Sequence, residues 1–216
     1  MRKEVLPEGC GGVCVKRLTD CIGARHKRRY TAFTLIELVV VIGLIVILTG
    51  LVLSTVGYAR KKGARARAET EIAAMAAALE SYKSDNAVYP RDNATNQYTD
   101  TLNAQQNFDP TQSVYQNASF YLYGQLSGNP SGDRTTYTQQ RYFQFKPNML
   151  FPADQTQNVQ YIQDPFGNSY GYSTANQADS TKGYNPTFDL WSTAGVAPSP
   201  TPPPPATQQN LWIKNW

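Results

Sequence analysis

Three cysteines and the single histidine, Cys10, Cys14, Cys21 and His26, crowd into the first 32 residues of a 216-residue chain. Thiolate and imidazole are the ligands zinc prefers, but the spacing Cys-x3-Cys-x6-Cys-x4-His matches none of the usual zinc patterns. Beyond residue 32 there is neither Cys nor His. For that remainder a Ser-His-Asp triad, a cysteine nucleophile, a disulfide framework and a thiolate or imidazole zinc site are all excluded. Carboxylates are left: from Asp85 onward the chain has nine acids, every one an Asp. Pairs among Asp154, Asp164, Asp179 and Asp189 could run acid chemistry of the glycoside-hydrolase kind, in an exported enzyme or binding module tethered by an uncleaved membrane helix or released by ordinary signal peptidase after Gly57-Tyr58-Ala59. Their scatter over polar stretches reads instead as surface.

A different carboxylate is harder to place on a surface. Glu37 is the only charged residue between Phe33 and Val56, in the run FTLIELVVVIGLIVILTGLVLSTV. At about 1.5 Å per residue these 24 residues reach roughly 36 Å as a helix, enough for a hydrocarbon core of about 30 Å. A carboxylate inside such a helix costs several kcal/mol unless it is paired or protonated, so Glu37 needs a partner. Its own helix face offers no cation. A cut before Phe33 would create an α-amino group one turn away, available to neutralise Glu37 of a neighbouring molecule.

The elements that position this residue follow from charge and period. Residues 1–32 hold eight Lys/Arg against three acids, while the rest of the chain is close to neutral, so the basic pI near 8.9 belongs to the N-terminus. More basic residues precede the apolar run than follow it (Arg60, Lys61, Lys62, Arg65, Arg67), which puts the N-terminus on the cytoplasmic side. Past this second cluster, Ala68, Ile72, Met75, Leu79 and Tyr82 alternate spacings of four and three, with Glu69, Glu71, Glu80 and Lys83 on other faces. That is one amphipathic helix, continuous with the apolar run and ending at Asp85-Asn86 before Pro90. The basic run reads as a solvated or interfacial face. No basic and aromatic patch follows it, so nucleic acid is not expected as a partner.

The remainder reads as a small polar head. Residues 91–112 are predicted as an irregular loop; Phe120–Leu126, Arg141–Phe145, Ser169–Ser173 and Thr187–Trp191 are predicted as short antiparallel strands leaning on the helix. Asp164-Pro165-Phe166-Gly167-Asn168 has turn chemistry between them. The proline segment Pro198–Pro205 is expected to be an extended linker that lets Trp212 and Trp216 fold back onto the head. The organisation is therefore a basic leader (1–32), a membrane or filament-core helix (33–57), an amphipathic half (58–90), a β-rich head (91–197) and a Pro-rich tail (198–216).

Arg28-Arg29-Tyr30-Thr31-Ala32 followed by Phe33-Thr34-Leu35-Ile36-Glu37 and the apolar run resembles the processing site of type IV pilins and of the pseudopilins of type II secretion. Ala32 stands where that family usually has Gly. The resemblance implies cleavage between Ala32 and Phe33 by a prepilin peptidase, N-methylation of Phe33, and assembly through Glu37. Three head segments are similar to the major pseudopilin of type II secretion: Ala78–Asn86 with Tyr89-Pro90, Asp164–Asn168 with Tyr170 and Tyr172, and Phe188–Ser192 with Gly195. The family fold is a long helix carrying a small antiparallel sheet, an α+β, pilin-like architecture.

The likeness implies a structural subunit without enzymatic activity. It would polymerise into a helical filament, partnered by the peptidase, the inner-membrane secretion platform and minor pseudopilins. Before assembly it would be a single-pass inner-membrane protein with a periplasmic head. A type IV pilin for adhesion, motility or DNA uptake is the neighbouring alternative. In the family the C-terminal loop binds calcium through oxygen ligands, and Asp189 and Ser192 match part of that set. The acidic residues expected just past the glycine are replaced by Val196-Ala197-Pro198.

Overall fold

The computed structural model describes residues 33–92, 98–196 and 209–216, so the leader and the Pro-rich run lie outside the described residues. The chain divides into two units, Met1–Thr49 and Gly50–Trp216. One helix, α1 (Leu35–Asn86), runs through 52 residues, close to the span expected from its apolar and amphipathic periods. It is long and apolar enough to cross a membrane. Its large apolar side chains from Leu35 to Leu53 are exposed, none of them less than 48%.

In the second unit the amphipathic stripe does what its spacing predicts. Ala68, Ile72, Met75 and Leu79 are buried in the main core, and Tyr82 packs against its edge. Glu71 departs from expectation: it is 9% exposed rather than on an outer face. Helix geometry explains the difference, because Glu71 lies three residues after Ala68 and four before Met75, and so borders the buried stripe.

The segment Phe120–Leu126 is not a strand. It belongs to α2 (Ser113–Ser127), whose buried residues include Tyr115, Ala118, Leu122 and Leu126, a helical spacing. Aromatic density suggested a pleated surface, but the period of burial decided the outcome. Gly128 ends α2 in the left-handed region (φ 75°), and its N–H donates to the Gly124 carbonyl. Arg141–Phe145 is not a strand either. Tyr142 and Phe143 donate their N–H groups to the Leu126 carbonyl (2.8 and 2.9 Å), and Thr138 and Gln139 donate to that of Gly128. This segment therefore satisfies carbonyls left open at the end of α2, where a strand would have used the same N–H groups in a ladder.

Among the described residues, five short strands form two antiparallel sheets. β1 (Leu150–Phe151) pairs with β2 (Tyr161–Ile162). The second sheet has the order β3 (Gly171–Ser173), β4 (Asp189–Ser192), β5 (Ile213–Lys214). A four-residue helix α3 (Ala175–Ala178) follows β3. The Asp164–Asn168 turn links β2 to β3 as its chemistry predicts, with Gly167 at φ 93° and its N–H donating to the Asp164 carbonyl (3.0 Å).

β4 stands between two cores. Phe188, just before the strand, and Leu190 join the main cluster with α1, Leu122, Tyr170 and Tyr172. Trp191 joins a second cluster with Leu102, Ala104, Tyr115, Ala118 and Trp212. Strand alternation thus sorts neighbouring side chains into different cores, and Trp212 folds back onto the head as expected. The loop around Leu102 is irregular, yet it is anchored: Thr174 N–H donates to the Thr99 carbonyl (2.9 Å), and Gly183 N–H to Asn103 Oδ1 (3.1 Å).

Candidate functional site

At the start of α1, Glu37 finds a partner inside its own first turn. The Thr34 N–H (3.0 Å) and hydroxyl (2.8 Å) donate to Glu37 Oε2, and the Glu37 N–H donates to Thr34 Oγ1 (3.3 Å). This reciprocal capping box satisfies two helix donors that would otherwise be orphaned. The Thr-x-x-Glu spacing that signals it stands openly in the sequence, so Thr34 is the site residue that sequence reasoning missed. The carboxylate is flanked by Phe33, Ile36, Val40 and Val41 on the same stretch of helix. The arrangement leaves a carboxylate oxygen, Oε1, beside an exposed apolar stripe. Ala32 lies outside the described residues.

A second group of carboxylates is built into the head. Glu71 accepts from Arg67 Nε (2.6 Å) and from the Tyr170 hydroxyl (2.8 Å), and Arg67 donates in turn to the Asn148 carbonyl. Arg65 donates to the Leu211 carbonyl (2.8 Å), tying the tail to the same helix. Two of the five basic residues after the apolar run therefore hold the head together. Arg60, Lys61 and Lys62 remain exposed. Burial and the adjacent Glu71 push the Tyr170 phenol well above its ordinary pKa, so it stays a donor.

The acid residues do not form one class. Asp109, Asp133, Asp154 and Asp179 each accept the N–H two residues on, from Thr111, Thr135, Thr156 and Thr181, at 2.9 to 3.0 Å. These are turn-building surface aspartates. Asp164 and Asp189, expected on the surface as well, are 3% and 2% exposed. Asp164 accepts from Ser192 Oγ and from the N–H groups of Phe166 and Asn168. Asp189 accepts the N–H groups of Tyr184 (2.8 Å) and Asn185 (2.9 Å), one on each oxygen. Burial raises both carboxyls above the usual range despite these donors. No hydrogen bond joins any two of Asp154, Asp164, Asp179 and Asp189, which have separate partners and no shared acid pair.

The same geometry bears on calcium. Asp189 and Ser192 are three residues apart on one strand, so alternation sends them to opposite faces. Ser192 Oγ donates to Asp164 and accepts from the Ala194 N–H (3.0 Å). Calcium needs a shell of oxygen atoms, whereas the Asp189 carboxylate is already ringed by N–H hydrogens. The two residues do not fit as ligands of one cation, and no group of three or more acidic, His or Cys side chains suited to a metal occurs among the described residues.

No family model matches the chain, and no solved structure matches it. The type II secretion system core protein G of Vibrio cholerae serotype O1 (strain ATCC 39315 / El Tor Inaba N16961) is 40% identical over 66 residues, covering 31% of this chain. The chain spans 45% of the length of that curated relative. The long N-terminal apolar helix, the small antiparallel sheets and this partial match agree on an α+β, pilin-like fold related to type II secretion.

Proposed function

We propose that the chain is a structural subunit of a periplasmic pseudopilus, made as a membrane-anchored prepilin-like precursor and taking part in type II protein secretion. The observation that carries this reading is the exposed apolar run of α1 with one capped carboxylate in its first turn. Water does not tolerate a continuous apolar stripe of that size. Lipid covers it before assembly and the helices of neighbouring subunits cover it afterwards. Cleavage between Ala32 and Phe33 frees an α-amine, which is methylated and pairs with Glu37 of the next subunit. The partial identity to the Vibrio protein supports secretion over an adhesive or motile pilus.

The precursor sits in the inner membrane with its N-terminus cytoplasmic and its head periplasmic. Its partners are copies of itself, the prepilin peptidase, the inner-membrane secretion platform and minor pseudopilins. The role is mechanical: no catalytic group is assigned. Mass spectrometry of the mature N-terminus, in cells with and without the peptidase, tests the reading. A methylated Phe33 that vanishes without the peptidase is expected. An intact N-terminus, or one at Arg60, would overturn it. Glu37→Ala should leave membrane insertion intact and abolish filament cross-links.

A further inference from the structure

Helix α2 buries one face and opens another. Asn117, Phe120, Tyr121, Gly124 and Gln125 recur at helical spacing away from the buried Leu122 and Leu126. With Tyr98 and Pro130, this second face lines an open cavity of about 250 Å³. α2 has no charged residue anywhere along its 15 residues, whereas the outward face of a helix in a small domain ordinarily carries charge. The Tyr98 and Tyr121 rings lie stacked, their planes 27° apart and their centroids separated by 6.2 Å.

The polar groups around those rings are unspent. The hydroxyls of Tyr98 and Tyr121 and the amide of Asn117 make no hydrogen bond with another described residue. Gln125 Oε1 accepts from the Tyr82 hydroxyl (2.9 Å), and its NH2 group has no acceptor among the described residues. The lining thus combines apolar ring faces with phenol and amide groups that can both donate and accept.

We propose that this cavity binds a neutral saccharide, with one sugar ring against Tyr98 and Tyr121 and its hydroxyls bonded to Asn117 and Gln125. The C–H faces of a pyranose suit aromatic rings, while its hydroxyls match amides and phenols. An anionic or cationic ligand would find no opposite charge in this lining. A purely apolar occupant, such as a lipid chain or a leucine side chain, would strip water from four polar groups and return no hydrogen bonds. The volume lies just below the roughly 300 Å³ at which drug-sized pockets begin, which suits one ring with the rest of the glycan outside. The proposal stands apart from filament assembly, which uses the other end of α1.

The full chain in zwitterionic, sugar-free detergent micelles provides the test, read by saturation-transfer NMR and calorimetry. The probes are maltotriose and triacetylchitotriose, with trigalacturonate as a charged control. At least one neutral trisaccharide should bind, and more tightly than the charged one. Tyr98→Ala should raise Kd about tenfold, equivalent to about 1.4 kcal/mol. Asn117→Ala, at an exposed position, should raise it about threefold with an unchanged Tm. Absence of saturation transfer from both neutral probes would overturn the proposal, as would binding indifferent to both substitutions. So would self-association lost in Tyr98→Ala with no saccharide bound, because the face would then be a contact between subunits.

Discussion

The indole of Trp191 lies directly against Gly171, its cross-strand partner: a methyl group built on Gly171 would stand 2.3 Å from Trp191 Cε2. The strand backbone of β3 is therefore the wall against which the largest fully buried side chain of the head packs. Gly171→Ala should force the ring aside and lower stability by about 1–3 kcal/mol, the usual cost of overpacking. Thermal unfolding of the detergent-solubilised chain, followed by tryptophan near-UV dichroism, measures it. The double variant with Trp191→Leu should show the glycine substitution costing clearly less, because the two residues are coupled.

The Glu71 network gives a second measurement. Tyr170→Phe removes one of the two donors to a buried carboxylate, and about 1.5–3 kcal/mol is expected for a hydrogen bond to a charged group. Glu71→Gln keeps an acceptor for Tyr170 and should lose less than Glu71→Ala, which orphans the phenol and the Arg67 guanidinium together. If alanine and glutamine were equivalent in denaturant midpoint, the carboxylate would not be organising this junction.

Asp133 sets a pH dependence. Its carboxyl is held well below the usual range, first by the Thr136 hydroxyl and N–H and then by Thr135 and Asn129. A depressed folded pKa means stability that is present above the unfolded value of about 4 and is lost as pH falls below it. Asp133→Asn should therefore be less stable than wild type at neutral pH. The gap should close on acidification, measured as the difference in Tm across a pH series. A gap that widened on acidification would contradict the assignment.

Trp212 tests the second core. It is 4% exposed and stacks on Trp191 with ring centroids 6.1 Å apart. Trp212→Ala should cost about 3–5 kcal/mol, the range for deleting a large buried aromatic. The aromatic dichroism of Trp191 should fall with it, while helix content by far-UV dichroism is retained.

The parts of the molecule that were legible in the sequence are those governed by a single local period. α1 declares itself through its apolar run and the Ala68 to Tyr82 stripe, and the Asp164–Asn168 turn through Pro and Gly. What was not legible required knowing what lies opposite. Phe120–Leu126 has strand-like composition, and only its burial pattern against Ile162 and Leu190 shows a helix. Glu71 sits on an ambiguous border of the stripe, and Tyr170, 99 residues away, decides that it goes inside. Asp164 and Asp189 look like ordinary surface acids until Ser192 and the Tyr184–Asn185 backbone supply donors. Thr34 is a separate case, since its capping signal was local and in plain view.

The division of β4 between two cores also sets a schedule for biogenesis. Trp191 is covered by Trp212, and β5 completes the sheet only through Ile213 and Lys214. These residues lie about 20 positions after β4 in the chain, so they follow it in the order of synthesis. Most of the main core can gather around α1 once Leu190 has been made, with Ile213 still to join it, but the opposite flank of β4 stays uncovered until Trp212 follows. A chain halted between the two would expose an indole surface that the folded head conceals, marking the unfinished molecule chemically as unfinished.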